Sequence, residues 1–344
     1  MEAKIRTRMG DGWAAEMTAS EIKADLEDGT QAAAKRAKLP VLGDDELGHL
    51  LDIFSSRSRF TGVDVGDEVV LSCDGSGNAD IGDRVAEMFL SERHHGADMV
   101  ELWHIDYSYK AIKTIVTYEA QFMKNVQMAV TVPCNYGAMP DLGRYSQPDG
   151  PIANWSELMP QGRIEEARAA QVAAIDPLVA DIVHVAEAMH QAGADGMDFD
   201  TAGAAGDADF LATLTAIRRI RDKYPDMGAA MGMAGELTLG MHGQLEFEGT
   251  RLAGLWPREQ MKVAEKAGVT IFGPAVHVNT TRSVAWNVAR AITLVKPCCD
   301  EATIPIHMNV GMGVGAVPMT PYPPVDAVSR ASRALVDILR LDGL

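Results

Sequence analysis

The sequence predicts an α/β protein of the TIM-type (β/α)8 barrel class, incomplete within this chain. Three observations predict it. From about residue 96, apolar runs that read as buried strands alternate with amphipathic helical stretches. The last four strand starts are separated by roughly 35–40 residues, the size of one strand-helix unit. Turns from helix into strand repeatedly use a glycine: Gly96, Gly193, Gly268 and Gly343.

Taken in order, residues 1–95 read as an N-terminal helical and β extension. Helical stretches are "TASEIKADLEDGTQAAAKRAK", with Thr18 or Ser20 as N-cap, and "DDELGHLLDIFSSR". "FTGVDVGDEVVLSCDGSGNADIGDR" then reads as a small β element with a Gly/Asp loop. Residues 96–344 form the barrel body, with strands expected at 98–105, 126–132, 194–200, 227–233, 268–273 and 304–310. Helices lie between them in "DPLVADIVHVAEAMHQ", "DFLATLTAIRRIRDKY" and "SVAWNVARAITLV". In the last stretch, Val325, Val328, Ala331, Leu335, Ile338 and Leu339 recur at helical spacing, and "LDGL" reads as a turn and the first step of a strand. Six units and the start of a seventh fall short of the eight a closed barrel needs. Nearly continuous apolar strands suit a parallel sheet covered by helices. A doubly wound open sheet is the alternative. Against it, no strand is followed by GxGxxG, and "GMGVGAV" at 311–317 spaces its glycines differently.

Composition mainly excludes. The net charge of −17 would repel nucleic acid and anionic membranes. Cys73, Cys134, Cys298 and Cys299 make neither a CxxC pair nor a disulfide framework, so a reducing cytoplasm is the expected setting. The N-terminus lacks an apolar signal core and no run is long enough to span a membrane. HExxH, GxSxG and Walker sequences are absent, and the histidines are scattered over separate strands, so spacing supports no metal site.

In such barrels the chemistry gathers where strands end. Those positions offer His104, Asp106 and Tyr107, then Asn135 and Tyr136, then Asp198 and Asp200, then Glu236 and His242, then His277 and Asn279, and last His307 and Asn309. Asp198 and Asp200 share a face because strand side chains alternate. A strand-end Asp such as Asp200 equally serves as a cap, and His104, His277 and His307 equally serve as satisfied core groups. Glu236, between small residues in "AGEL", is the leading candidate. The residues alone point to an acidic, Gly-rich mouth for a small cationic or polar substrate, with carboxylates as acid, base or charge stabilisers.

Longer strings carry a resemblance. "RMGDGW", "ELWHIDYSYK", "YGAMPDLGRYSQPDGP", "GADGMDFDTAGAAGDADF", "GMAGELTLGMHGQLEFEGTRLAGLWP", "NTTRSVAWNVARA" and "GMGVGAVPM" closely resemble the dimethylamine–corrinoid protein methyltransferases, in order along essentially the whole chain. The resemblance implies methyl transfer from dimethylamine to the Co(I) corrinoid of a separate protein, so the chain itself is expected to bind no cofactor directly. It also implies an amber-encoded pyrrolysine immediately after Asp342-Gly343-Leu344, and that the 344-residue product without it lacks activity and exposes a sheet edge. In that scheme the electrophilic ring of pyrrolysine holds the amine. Glu236 is the first choice for managing its proton, with Asp198 and Asp200 next. Tyr136, Tyr107 or Trp103 would face the methylated cation, and His277 and Asn309 would complete the substrate site. The Gly-rich loop at 311–317 would belong to a rim that admits the corrinoid protein. Assembly as a homo-oligomer stays open. So do a pyrrolysine-independent barrel methyltransferase or lyase, and an inactive paralogue that only binds the corrinoid partner.

Overall fold

A computed structural model describes residues 2–56, 112–114, 135–241, 243–320 and 323–344, with the backbone alone for 112–114 and 135–139. The chain opens with a hairpin of β1 (Ile5–Arg8) and β2 (Ala14–Met17), then α1 (Ala19–Ala37) and α2 (Asp44–Ser55). The body follows with β3 (Ile112–Thr114), β4 (Asn135–Pro140), the short α3 (Trp155–Leu158), α4 (Ile164–Gln191) and β5 (Gly196–Ala202). After these come α5 (Asp207–Lys223), β6 (Gly228–Met233), the small hairpin β7 (Glu246–Phe247) and β8 (Thr250–Arg251), and α6 (Pro257–Ala267). The last elements are β9 (Ile271–Gly273), α7 (Val284–Glu301) and α8 (Val325–Leu339).

The central sheet has the order β3-β4-β5-β6-β9, with β3 antiparallel to β4 and the other pairs parallel. Parallel bridges Phe272–Ile306 and His307–Gly343 carry the same progression through two further segments. From β4 onward each new segment therefore lies beside the one before it, always toward the same side. A doubly wound sheet would send its later strands to the other edge. The protein is thus mixed α/β around a sequentially wound parallel sheet, and the described residues do not trace a closed barrel.

Several expectations shift. The strands at 98–105 and 126–132, and the β element after α2, lie outside the described residues. "NYGAMP", expected as a loop, forms β4. It is poor in β-branched residues, and pairing with β5 from Asn135–Gly196 to Ala138–Phe199 prevails over weak local preference. The antiparallel β3 was not anticipated. The strand expected at 304–310 shrinks to the bridges at Ile306 and His307. Pro305 has no N–H to donate, although its carbonyl accepts from the Phe272 N–H at 3.0 Å. Thr18, not Ser20, caps α1, with Glu21 closing a capping box. Gly193 and Gly268 take left-handed φ values of 86° and 97°, but at the end of α8 that conformation belongs to Arg340 rather than Gly343.

One core lies between the outer face of the sheet (Met197, Phe199, Ala229, Met231, Met233, Phe272) and α4, α5 and α6. A second gathers α1, α2 and α8 around α7, which is buried on nearly every side from Val284 to Val295. The N-terminal helices are therefore packed into the body. The buried stripe of α8 is rotated from the apolar one: Val325 is exposed, while Asp326 is buried against Arg8 with 3.1 Å between Asp326 Oδ1 and Arg8 Nε. Arg330 donates to the carbonyls of Ile53, Phe54 and Ser56 at 2.7–3.0 Å, where the C-terminus of α2 favours a cation. Among the described residues no helix is long and apolar enough to cross a membrane.

Gly29 marks the closest approach of α1 to α7. A Cβ there would lie 2.4 Å from the Trp286 carbonyl oxygen, on backbone that cannot swing aside. Ala favours an isolated helix over Gly by about 1 kcal/mol, yet here it would wedge the helices apart. Gly29→Ala is expected to cost about 1–3 kcal/mol of stability, read from urea denaturation. An unchanged or raised midpoint would show that the helices separate freely.

Candidate active site

Two loops meet at the carboxyl ends of β6 and β9. The first turns through Gly235 to Glu236, and the second runs from Gly273 to His277. A Cβ at Gly235 would lie 3.1 Å from the His277 ring, so glycine lets the loops close on one another. The His277 backbone N–H donates to Glu236 Oε2 at 3.2 Å, and His277 Nδ1 lies 3.2 Å from the same oxygen. Arg290, from α7, completes the group. Its Nη2 donates to Glu236 Oε1, and its Nη1 donates to the His277 carbonyl at 3.0 Å. The Glu236 and Arg290 side chains are 14% and 10% exposed, whereas the imidazole is 51% exposed. A buried ion pair thus holds a histidine that opens to solvent.

Burial alone would raise the Glu236 carboxyl. The hydrogen bonds from His277 and the Arg290 guanidinium prevail and bring it down to about 2. The hydrogen bond to Glu236 raises His277, against partial burial and the charge of Arg290. At neutral pH a carboxylate this acidic is a very weak base, while the imidazole keeps its proton to higher pH than an ordinary histidine. The arrangement gives Glu236 the part of a fixed anion that orients and charges His277. Of the two, the imidazole is the better suited to carry a proton.

The surroundings fix that histidine. The Val278 N–H donates to the Gly313 carbonyl at 2.8 Å, and the Gly315 N–H donates to the Val276 carbonyl at 3.0 Å. The Gly-rich turn at 311–315 is therefore stitched along the His277 segment. A Cβ at Gly315, whose φ is 65°, would lie 2.4 Å from the Asn309 carbonyl oxygen. On the other side, Asn287 of α7 accepts the Asn279 N–H at 2.7 Å and donates to the Asn279 and Ser283 carbonyls at 3.0 and 2.9 Å.

Asp198 and Asp200 lie on the sheet face opposite Met197 and Phe199. Asp198 is half-buried and stands in register with Ala230. Asp200 is 9% exposed and accepts the Thr201 N–H at 2.6 Å. A Cβ at Gly232 would lie 2.8 Å from Asp200 Oδ1, so the missing side chain gives the carboxylate its space. Thr201 itself has φ 53°, a left-handed conformation that a β-branched residue adopts only under strain. The pairing of β5 with β6 shifts register between Phe199 and Ala202, so this conformation sits at an irregularity of the sheet.

Of the residues read from the sequence, Glu236 and His277 touch. Asp200 stands one strand away over Gly232, and Asn309 lies under the Gly-rich turn. The backbone of Tyr136 pairs with Met197 near the start of β5. Its expected place after a strand fails because β4 begins at Asn135. Tyr107, Trp103, His104, Asp106 and His242 lie outside the described residues. Among the described residues, no cluster of three or more His, Cys, Asp or Glu could hold a metal.

Sequence reasoning missed Arg290. Its signal was a lone cation in "SVAWNVARAITLV", since a charge inside an apolar helix needs a buried partner. With the geometry in hand, comparison adds one match: the family described as dimethylamine methyltransferase (Dimeth_PyL) aligns with residues 3–344. No solved structure matches the chain.

Proposed function

Since the chain belongs to the dimethylamine methyltransferase family, we propose that it transfers a methyl group from dimethylamine to the Co(I) corrinoid of a separate protein and releases methylamine. In that step the cobalt electron pair attacks the methyl carbon, a Co–C bond forms and the C–N bond breaks. The nitrogen keeps the bonding pair. An amide anion is a very poor leaving group, so the nitrogen has to carry a proton when the bond breaks.

The observation that carries this reading is the Glu236–His277–Arg290 group. It presents a proton-bearing imidazole at the carboxyl face, oriented by a buried ion pair. His277 supplies or retains the proton on the departing nitrogen. Asp198 and Asp200 provide anionic side chains on the adjoining sheet face for the cationic amine. The corrinoid arrives as a substrate carried by its own protein, which docks on the rim of these loops. The family resemblance adds a pyrrolysine after Leu344 to hold the amine.

The test takes the protein purified from its own organism, with whatever residue follows Leu344 in place, and mixes it with dimethylamine and a corrinoid protein reduced to Co(I). Methyl–cobalt formation is followed by absorbance and methylamine by mass spectrometry. One methylamine per methyl–cobalt is expected, with monomethylamine and trimethylamine reacting more slowly. A competent corrinoid protein that stays unmethylated would overturn the proposal. A peptide spanning Leu344 in the protein from its own organism, weighed by mass spectrometry, tests the pyrrolysine separately.

A further inference from the structure

We propose that Gln260 is a positioning residue for the Glu236–His277 pair, acting through the loop that carries Glu236. Its importance for turnover rests on the methyltransfer reading above, while its effect on geometry does not. Gln260 lies in α6 and is fully buried. Its Nε2 sits 3.2 Å from the Gly235 carbonyl, 3.1 Å from Thr238 Oγ1 and 3.2 Å from the Leu255 carbonyl. The first two acceptors flank Glu236 on either side, and the third belongs to the segment that leads into α6. Thr238 also donates from its backbone N–H to the Leu255 carbonyl at 3.0 Å, and the Gly254 N–H donates to the Thr238 carbonyl at 2.8 Å. One amide group therefore ties both shoulders of the Glu236 turn to the start of a helix. The carboxylate is then held from two sides, by α6 through its loop and by α7 through Arg290.

The chemistry at the other end of the side chain supports a role beyond filling space. Among the described residues, Gln260 Oε1 is buried and has no donor. Burying an acceptor without a partner is costly, and a methionine of similar volume would fill the position without that cost. What only the amide provides at this position is its pair of N–H donors, aimed at the Glu236 turn. A catalytic group held loosely loses rate steeply even when the fold is intact.

The experiment compares wild type with Gln260→Met by NMR titration of the His277 imidazole, thermal melting and steady-state kinetics. The expected result has three parts. The His277 midpoint moves down toward the ordinary histidine value, because its contact with Glu236 loosens. The kcat falls by about tenfold with KM nearly unchanged, and melting changes little. A lowered melting temperature with an unmoved His277 titration would make Gln260 a purely structural residue and overturn the inference, as would no change in either. If Gln260→Met does not fold, Thr238→Val removes one of the loop's acceptors and leaves α6 intact. It is expected to shift His277 the same way by a smaller amount, and an unmoved midpoint again overturns the inference. A shifted His277 midpoint in a protein whose wild type transfers no methyl group would uphold the positioning and sink the function instead.

Discussion

Arg290→Met and Glu236→Gln are each expected to destabilise the fold by about 2–3 kcal/mol, and the double variant by clearly less than the sum. Each single change leaves one charge buried without its partner. The double change replaces the pair by neutral side chains of similar size. The pH dependence follows from the same pair. Glu236 falls from its ordinary value of 4.5 to about 2 in the folded protein. Its contribution is therefore complete above pH 4.5 and lost as the pH drops toward 2, and it amounts to about 3 kcal/mol at most. His277 runs the opposite way. Because its folded value is raised, its smaller contribution is present below the ordinary histidine value of 6.5 and disappears as the pH rises through the raised value. Urea denaturation at pH 7 and pH 3 should show a steep acid loss in wild type and a flatter one in Glu236→Gln. Single-variant losses that simply add would mean that Glu236 and Arg290 do not depend on one another.

That pair also shows what the sequence could and could not reveal. Glu236 and His277 were legible because barrel chemistry gathers at strand ends, and both follow apolar runs. Their contact was not legible, because it depends on two loops closing across Gly235. Arg290 was hidden by its location in a helix that reads as core. The helices were legible through period and capping, as at Thr18 and Glu21. The rotated stripe of α8 was not, since Asp326 and Arg330 become core residues only by finding Arg8 and the end of α2. Long-range pairing likewise made a strand of "NYGAMP", whose composition argues for a loop. Local pattern fixes where elements fall, and non-local polar partners decide which face they bury.

His277→Gln should lower kcat by about 10²–10⁴-fold while leaving stability nearly intact, because the ring is half-exposed and the buried ion pair survives. If the imidazolium supplies the proton, kcat/KM should fall on the alkaline side as His277 loses its charge. In Glu236→Gln that limb should move to lower pH, since the hydrogen bond that raises His277 is weakened. A limb that stays in place would separate the titrating group from His277. The carboxylates of β5 make the contrast. Asp200→Asn removes an anion from the cation-facing side without touching the imidazole, so it should raise KM and leave the alkaline limb where it was. Should the limb follow Asp200→Asn while His277→Gln remains active, proton handling belongs to the β5 carboxylates. His277 would then only complete the wall of the site, and the raised imidazole would reflect its neighbour's charge rather than a task of its own.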